Sequence, residues 1–206
     1  MIRDATAVLD PEEALCEDMA LLSGDPLSWV KYAFEWGKGE LAGYSGPDTW
    51  QEQVLADIRD GLTPNDALRI AVSSGHGVGK SALVAWILLW SLSTCPGAKG
   101  VVTANTGTQL KTKTWSELAK WKQRCICGHW FELSATSIAS ADRQHELTWR
   151  ADAIPWSEHN SEAFAGLHNS GKRIVVIFDE ASAVSDTIWE VTEGALTDQD
   201  TEILWL

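Results

Sequence analysis

Residues 74–81 read SGHGVGKS, and this stretch indicates the fold class most directly. It follows a short apolar run at 68–72 and precedes an almost wholly apolar stretch at 80–93. The first pattern predicts a buried strand, and the second predicts a helix enclosed by other structure. Glycines at such a strand-to-helix turn let successive backbone N–H groups point into one concavity, which favours phosphate. The stretch therefore matches a phosphate-binding loop, except that Ser74 stands where the pattern has glycine.

The residues of this loop have separate predicted roles. Lys80 can reach the β- and γ-phosphates of a nucleotide, and the Ser81 hydroxyl can bind Mg²⁺. The residues before them are expected to surround the phosphates: Gly75, His76, Gly77, Val78 and Gly79. The sequence thus predicts a site for ATP and Mg²⁺.

A second motif lies downstream, where residues 174–180 read IVVIFDE. An acidic pair after a buried parallel strand lies at the edge where sheets of this class present ligand groups. Asp179 is predicted to hold Mg²⁺ through its water shell. Glu180 is predicted to polarise the attacking water as a general base.

Apolar patterns predict an alternation of strands and helices around these motifs. Strands are expected at 68–72, 100–104 and 173–178, with weaker candidates at 131–139 and 146–154 and a last strand at 202–206. Helices are expected from 48 or 49 to 58, 80–93, 105 or 106 to 124, and 188–196. This alternation predicts a mostly parallel sheet with helices on both faces. Residues 1–46 are expected to form an N-terminal helical appendage, and 47–206 the main domain.

Composition excludes several classes of protein. Of 206 residues, 45% are apolar and 22% charged, which argues against disorder, and the longest apolar stretch is too short to span a bilayer. The N-terminus lacks the apolar segment of a secretory signal, so the four cysteines are expected to be reduced. Net charge is −13, yet residues 67–150 carry ten Lys and Arg against four Asp and Glu. A local basic face can bind a polyanion although the whole chain is acidic.

Motifs spread along residues 45–206 resemble the N-terminal ATPase domain of the large terminase subunit of tailed bacteriophages. In chain order they are Trp50-Gln51, the 74–81 loop, Thr103-Ala104-Asn105-Thr106 with Gln109 and Trp115, FAGLH at 164–168, FDEA at 178–181 with Trp189, EGAL at 193–196, and ILWL at 203–206. The resemblance implies a P-loop NTPase fold of the RecA-like, ASCE type. It implies ATP hydrolysis that drives double-stranded DNA into a procapsid. Gln51 is then expected to contact adenine, and 103–109 to face DNA or couple to it.

The same resemblance implies partners: double-stranded DNA, a portal protein, a small terminase subunit and further copies in a ring, in the cytoplasm of a bacterial host, without a membrane. That family continues into a coupling motif and a nuclease domain, so the chain is expected to be truncated before both. Two alternatives stay open. One is a helicase-like or remodelling ATPase, and the other is a module that binds nucleotide without turnover.

Three further groups of residues are candidate sites. The predicted helix ending at 124 carries a basic face, the candidate DNA contact, formed by Lys111, Lys113, Lys120, Lys122 and Arg124. The resemblance also implies an arginine, supplied in cis or in trans, that completes the transition-state clamp. Its candidates, which the sequence does not rank, are Arg143, Arg150 and Arg173. Cys125, Cys127 and His129 are metal-capable, but a structural zinc ion requires four ligands, so reduced thiols are the default expectation.

Overall fold

The structure, a computed structural model, describes residues 10–64, 66–73, 75, 77–104, 106–156, 167–181, 184–195 and 200–206. Its helices are α1 (Pro11–Leu21), α2 (Pro26–Ala33), α3 (Thr49–Gly61), α4 (Lys80–Thr94), α5 (Gly107–Gln109), a π-helical turn (Leu110–Trp115), α6 (Ser116–Arg124) and α7 (Asp186–Ala195), with 3-10 turns at Gly39–Leu41 and Gly128–Trp130. Its strands are β1 (Leu68–Arg69), β2 (Lys99–Thr103), β3 (Phe131–Leu133), β4 (Ser137–Ser140), β5 (Arg150–Ala153), β6 (Arg173–Phe178) and β7 (Glu202–Trp205).

The described strands form one sheet of seven in the order β1-β7-β6-β2-β5-β4-β3. Neighbours from β1 to β5 in this order run parallel, whereas β4 pairs antiparallel with β5 and β3. The expected α/β class with a mostly parallel sheet is confirmed. Since the parallel strands share one direction, the residues after β1, β2 and β6 meet at one edge, called the carboxyl edge below.

Helices cover both faces of this sheet, as predicted. Alternate residues of β6 point to opposite faces: Val175 and Ile177 pack in the core cluster with α4, whereas Ile174 and Val176 pack with Ile188 of α7. Every residue of α4 from Ala82 to Thr94 is buried. That explains why its apolar residues show no polar face in the sequence.

The N-terminal helices pack into the same core. Asp10 and Asp25 cap α1 and α2, each followed by a proline at the first helical position. Trp86 of α4 and Trp121 of α6 pack edge to face, with centroids 4.9 Å apart, and Phe34 and Trp36 join them. This aromatic cluster accounts for several of the twelve tryptophans. The domain boundary at 46/47 stays a prediction.

The predicted elements differ from the structure most at three places. The weaker strand candidate at 131–139 is two antiparallel strands, β3 and β4. β1 has only two residues, although 68–72 was expected to form a strand. The single α-helix expected to end at 124 is instead divided by the π-helical turn. Among the described helices, none has the length and apolar character needed to cross a membrane.

Candidate functional site

The phosphate loop ends at Gly79, which is the N-cap of α4. Gly79 has φ +91° and Gly77 has φ +75°, backbone conformations that L side chains rarely adopt. Gly79 offers no side chain to cap α4, and no acidic residue lies in the first turn of this helix. The positive end of the helix dipole therefore faces an exposed glycine-rich segment, as an anion site requires.

Gln51, 4% exposed, connects α3 to this loop. Its Nε2 donates to the Gly79 carbonyl at 3.0 Å, and its Oε1 accepts from the Asp48 backbone N–H at 2.8 Å. Gln51 also closes the capping box at the start of α3. The adenine contact implied by the resemblance stays a prediction. In this structure both polar atoms of the amide are bonded to the protein.

Asp179 and Glu180 follow β6 at the carboxyl edge. The backbone N–H of Asp179 donates to the Thr103 carbonyl at 2.8 Å, which joins the ends of β6 and β2. Glu180 has φ +61°, one of two positive values among the described residues other than glycine. A left-handed backbone at a glutamate is strained and is typical of functional sites.

The π-helical turn contacts this acidic pair with two successive residues. Buried Thr114 donates its Oγ1 hydrogen bond to Asp179 Oδ2 at 2.5 Å. Lys113 Nζ lies 3.3 Å from Glu180 Oε1. Sequence reasoning missed both contacts. The signal in the sequence was only that a basic helix follows the strand predicted at 100–104.

Buried polar atoms at the same edge fit a site for ATP and Mg²⁺. Thr103 Oγ1 and Gln109 Nε2 are buried and have no hydrogen-bond partner among the described residues. Buried polar atoms ordinarily have a partner in the protein, in water or in a ligand. Together with the uncapped start of α4 and a carboxylate already oriented by Thr114, they make this edge suitable for a phosphate and a hydrated cation.

Some predicted residues lie outside the described ranges. These are Ser74 and His76 of the loop, Asn105, residues 164–166 and Leu196. The remaining predicted nucleotide residues, Gly75, Gly77, Val78, Gly79, Lys80 and Ser81, lie on the loop after β1 or at the start of α4. Their assignment to nucleotide stays a prediction.

Three of the five residues of the predicted basic face form ion pairs. Besides Lys113, Lys120 pairs with Glu117 at 3.0 Å, and Arg124 pairs with Glu40. Lys111 is exposed and Lys122 is half-buried. The π-helical turn interrupts the predicted helix between Leu110 and Trp115, so Lys111 and Lys113 do not continue the α-helical register of α6.

The three candidate transition-state arginines lie away from the carboxyl edge. Arg173 and Arg150 begin β6 and β5, and Arg143 lies in the turn before β5. Arg173 is 1% exposed and bonds Glu202, so it is a structural residue at the opposite edge. Within this chain the three residues therefore lie toward the edge opposite the phosphate loop, and the identity of a transition-state arginine stays a prediction.

Two further candidate sites are also remote from the loop. Cys125 Sγ and Cys127 Sγ lie 3.4 Å apart, and this contact together with burial raises the pKa of the Cys125 thiol well above its usual value. His129 points instead to Glu12, at 3.0 Å. The described residues contain no group of three side chains suited to a metal ion. A cavity of about 430 Å³ lined by Met19, Trp130 and Trp149 lies at the edge opposite the loop.

The fold and site define an α/β protein compatible with the P-loop NTPase class. β7 lies between the strand that precedes the loop and the strand that precedes Asp179. No family model matches the chain. Over 180 residues the chain is 29% identical to a protein described as "Probable terminase, large subunit" from Enterobacteria phage P7.

That match covers 85% of this chain and 35% of the relative, so the chain spans about a third of the relative's length. The resemblance to a large terminase subunit is thereby confirmed, and the chain is terminase large-subunit-like. The match extends well beyond the phosphate loop and the acidic pair, which are short motifs.

Proposed function

We propose that the chain binds Mg-ATP at the carboxyl edge and hydrolyses it as the ATPase part of a phage DNA-packaging terminase. One observation carries the proposal: the uncapped start of α4 and the pair Asp179–Glu180 lie at the same edge of one parallel sheet. The similarity to a phage large terminase subunit supports packaging over strand separation.

Different groups of the chain have separate roles in binding and hydrolysis. Backbone N–H groups at the start of α4 and the Lys80 ammonium bind the phosphates, and the Ser81 hydroxyl and Asp179 hold the magnesium ion. The bound ion would supply charge that neutralises phosphate oxygens as the leaving group departs. Thr114 orients the Asp179 carboxylate. Glu180 accepts a proton from the water that attacks the γ-phosphate.

Titration calorimetry with Mg-ATP tests the binding step. Lys80→Ala should weaken affinity at least about tenfold, because one charge-assisted contact is worth about 1.5–3 kcal/mol. The matched control is Lys99→Ala, which removes a lysine at the start of β2, on the opposite edge. Equal ATP affinity in wild type and Lys80→Ala would exclude the phosphate-loop assignment.

Phosphate release tests the hydrolysis step. Glu180→Gln keeps the size of the side chain and should bind ATP as wild type does, yet hydrolyse it about 10²- to 10⁴-fold more slowly. A wild-type chain that binds ATP without releasing phosphate would instead support the module without turnover.

A further inference from the structure

A cavity of about 430 Å³ lies between α1 and residues 141–149, at the edge of the sheet opposite the phosphate loop. This volume falls within the range of about 300–1,000 Å³ that is usual for ligand pockets. The deep wall contains buried residues, among them Met19 of α1 and Thr94 of α4. Cys16 and Ala20 of α1 also line the cavity and are exposed, so its mouth is open to solvent.

The aromatic wall of this cavity favours an apolar occupant. The indole N–H of Trp130 donates to the Glu12 carboxylate. The indole N–H of Trp149 donates to the Leu92 carbonyl at 2.9 Å. Because these donors are already bonded within the chain, an occupant is held mainly by burial of its own apolar surface against the two rings and Met19.

The surface beside the mouth of the cavity is strongly acidic. Residues 10–21, which include all of α1, carry five Asp and Glu and no Lys or Arg. Helical spacing places exposed Glu13 and Glu17 on the same stripe of α1 as Cys16 and Ala20. Burial, and after it nearby carboxylates such as that of Glu13, raise the pKa of the Cys16 thiol. Negative charge therefore reaches the mouth of the cavity.

Two exposed leucines extend the apolar surface on either side. Leu21, 83% exposed, directly follows Ala20 at the end of α1, and Leu147, 73% exposed, lies shortly before Trp149. Single exposed leucines are ordinary, but these two belong to the two segments that border one apolar cavity. An apolar centre with a charged rim is the usual composition of a protein–protein interface.

The acidic rim restricts the kind of partner that fits. Nucleic acid is repelled, because duplex DNA itself carries one negative charge per ~1.7 Å of helix axis. A second copy of the chain, packed through the same surface across a two-fold axis, would bring Glu13 and Glu17 against their own equivalents. A segment of another protein that has an apolar side chain flanked by Lys or Arg complements both the cavity and its rim.

We propose that this cavity is a docking site for a basic segment of another protein. One large apolar side chain of the segment enters the cavity beside Trp130 and Trp149, and its flanking cations lie against Glu13 and Glu17. The inference goes beyond the proposed function. Because the cavity lies at the edge opposite the phosphate loop, docking requires no nucleotide.

The test is titration of the full chain into a fluorescein-labelled, lysine-rich peptide with a single central tryptophan, followed by fluorescence anisotropy at low salt. Replacing the peptide's tryptophan by alanine should weaken binding at least about tenfold, because burial of one large apolar side chain is lost. A peptide with glutamate in place of every lysine should not bind measurably. Added salt should weaken the wild-type complex, as expected where opposite charges attract at a surface.

Bulky substitutions on the two sides of the cavity test its occupation. Ala20→Trp and Ala141→Trp each place a large ring at an exposed lining position, so both should abolish the advantage of the tryptophan peptide over its alanine version. The matched control is Gln53→Trp on α3. Gln53 is also exposed and is not among the described residues that line the cavity, so this variant should bind as wild type does.

Charge substitutions test the rim. Glu13→Gln and Glu17→Gln should each weaken binding of the tryptophan peptide about two- to fivefold at low salt. Asp57→Asn is the matched control, because it removes the same charge from an exposed position of α3. It should leave the affinity unchanged.

Equal weakening by all three charge variants would show that the peptide responds only to the net charge of the chain, and would overturn the proposal. Full affinity in both lining variants, once urea denaturation has verified their folding, would do the same, as would a wild-type chain that binds no peptide at low salt. A wild-type chain that self-associates and becomes monomeric in Ala20→Trp would identify a second copy as the occupant instead. These measurements contain no nucleotide, so their outcome is independent of the Lys80→Ala test.

Discussion

Gln51 Nε2 and the Gly79 carbonyl oxygen lie 3.0 Å apart, so a buried amide from α3 is bonded to the last residue of the phosphate loop. The same carbonyl accepts the backbone N–H of Leu83 in the first turn of α4. Gln51 thus connects the start of one helix to the start of another. The shape of the loop depends on α3 as well as on its own glycines.

Replacing Gly77 and Gly79 by alanine separates the effect of backbone strain from the effect of the Gln51–Gly79 contact. Gly77→Ala and Gly79→Ala should each lower the free energy of unfolding by about 1–2 kcal/mol, the cost of a left-handed backbone for an L residue. Only at Gly79 would the new Cβ meet Gln51 Nε2, at 2.8 Å. Gly79→Ala should therefore also weaken ATP binding more than Gly77→Ala does.

Urea denaturation and ATP titration measure these two effects. Gly43→Ala is the control, because a Cβ there meets nothing within 4 Å and φ is not positive. If Gly79→Ala were as stable as Gly43→Ala, the loop geometry described here would be incorrect.

Substitution of Gln51 distinguishes support of the phosphate loop from recognition of adenine. Gln51→Ala removes the bond to Gly79 and half of the capping box, which should cost about 1–2 kcal/mol of stability. Because its amide is bonded to the protein at both ends, we expect the affinities for ATP and GTP to fall by the same factor. A loss confined to ATP, seen in parallel titrations, would establish the adenine contact implied by the resemblance.

Glu180 should show backbone strain independent of its carboxylate. Glu180→Gly and Glu180→Ala both delete the side chain, but only glycine adopts φ +61° without strain. In urea denaturation, Glu180→Gly should be the more stable of the two by about 1 kcal/mol. Both should lack hydrolysis. Equal stability would show that this backbone conformation is not maintained in solution.

Thr114 should act through Asp179. Thr114→Val keeps the shape of this buried side chain but leaves the Asp179 carboxylate without its donor, at a cost of about 1–3 kcal/mol. The ATP titration should then require more Mg²⁺, whereas Thr114→Ser should behave as wild type because the hydroxyl is retained. An unchanged Mg²⁺ dependence in Thr114→Val would exclude this positioning role.

The sequence is informative where structure is set locally. β6 and α4 were predicted almost to the residue, because an uninterrupted apolar run is compatible with few structures other than a buried strand or an enclosed helix. The loop and the acidic pair were found by spacing and context. The π-helical turn was not, because a change of helix register leaves the composition unaltered. The Lys113–Glu180 contact depends on β2 lying beside β6, which no local pattern specifies.

Arg173 supports a last prediction, about the edge opposite the loop. Its guanidinium bonds Glu202 Oε2 at 2.6 Å and the Ser23 carbonyl at 2.9 Å, and it lies 4.0 Å from the centroid of the Trp90 ring. Arg173→Met should lower the free energy of unfolding by about 2–3 kcal/mol. This is below the about 3–5 kcal/mol typical of a fully buried pair, because the Glu202 side chain is 32% exposed.

The expected signature is a loss of stability with unchanged nucleotide chemistry. Urea denaturation should show the loss in Arg173→Met, and Arg59→Met, which breaks an exposed pair with Asp60, should cost less than about 1 kcal/mol. ATP affinity and turnover of folded Arg173→Met should match wild type, because Arg173 lies at the far end of β6 from Asp179. Reduced turnover at unchanged stability would instead give Arg173 a role in the chemistry, which its burial at that edge argues against.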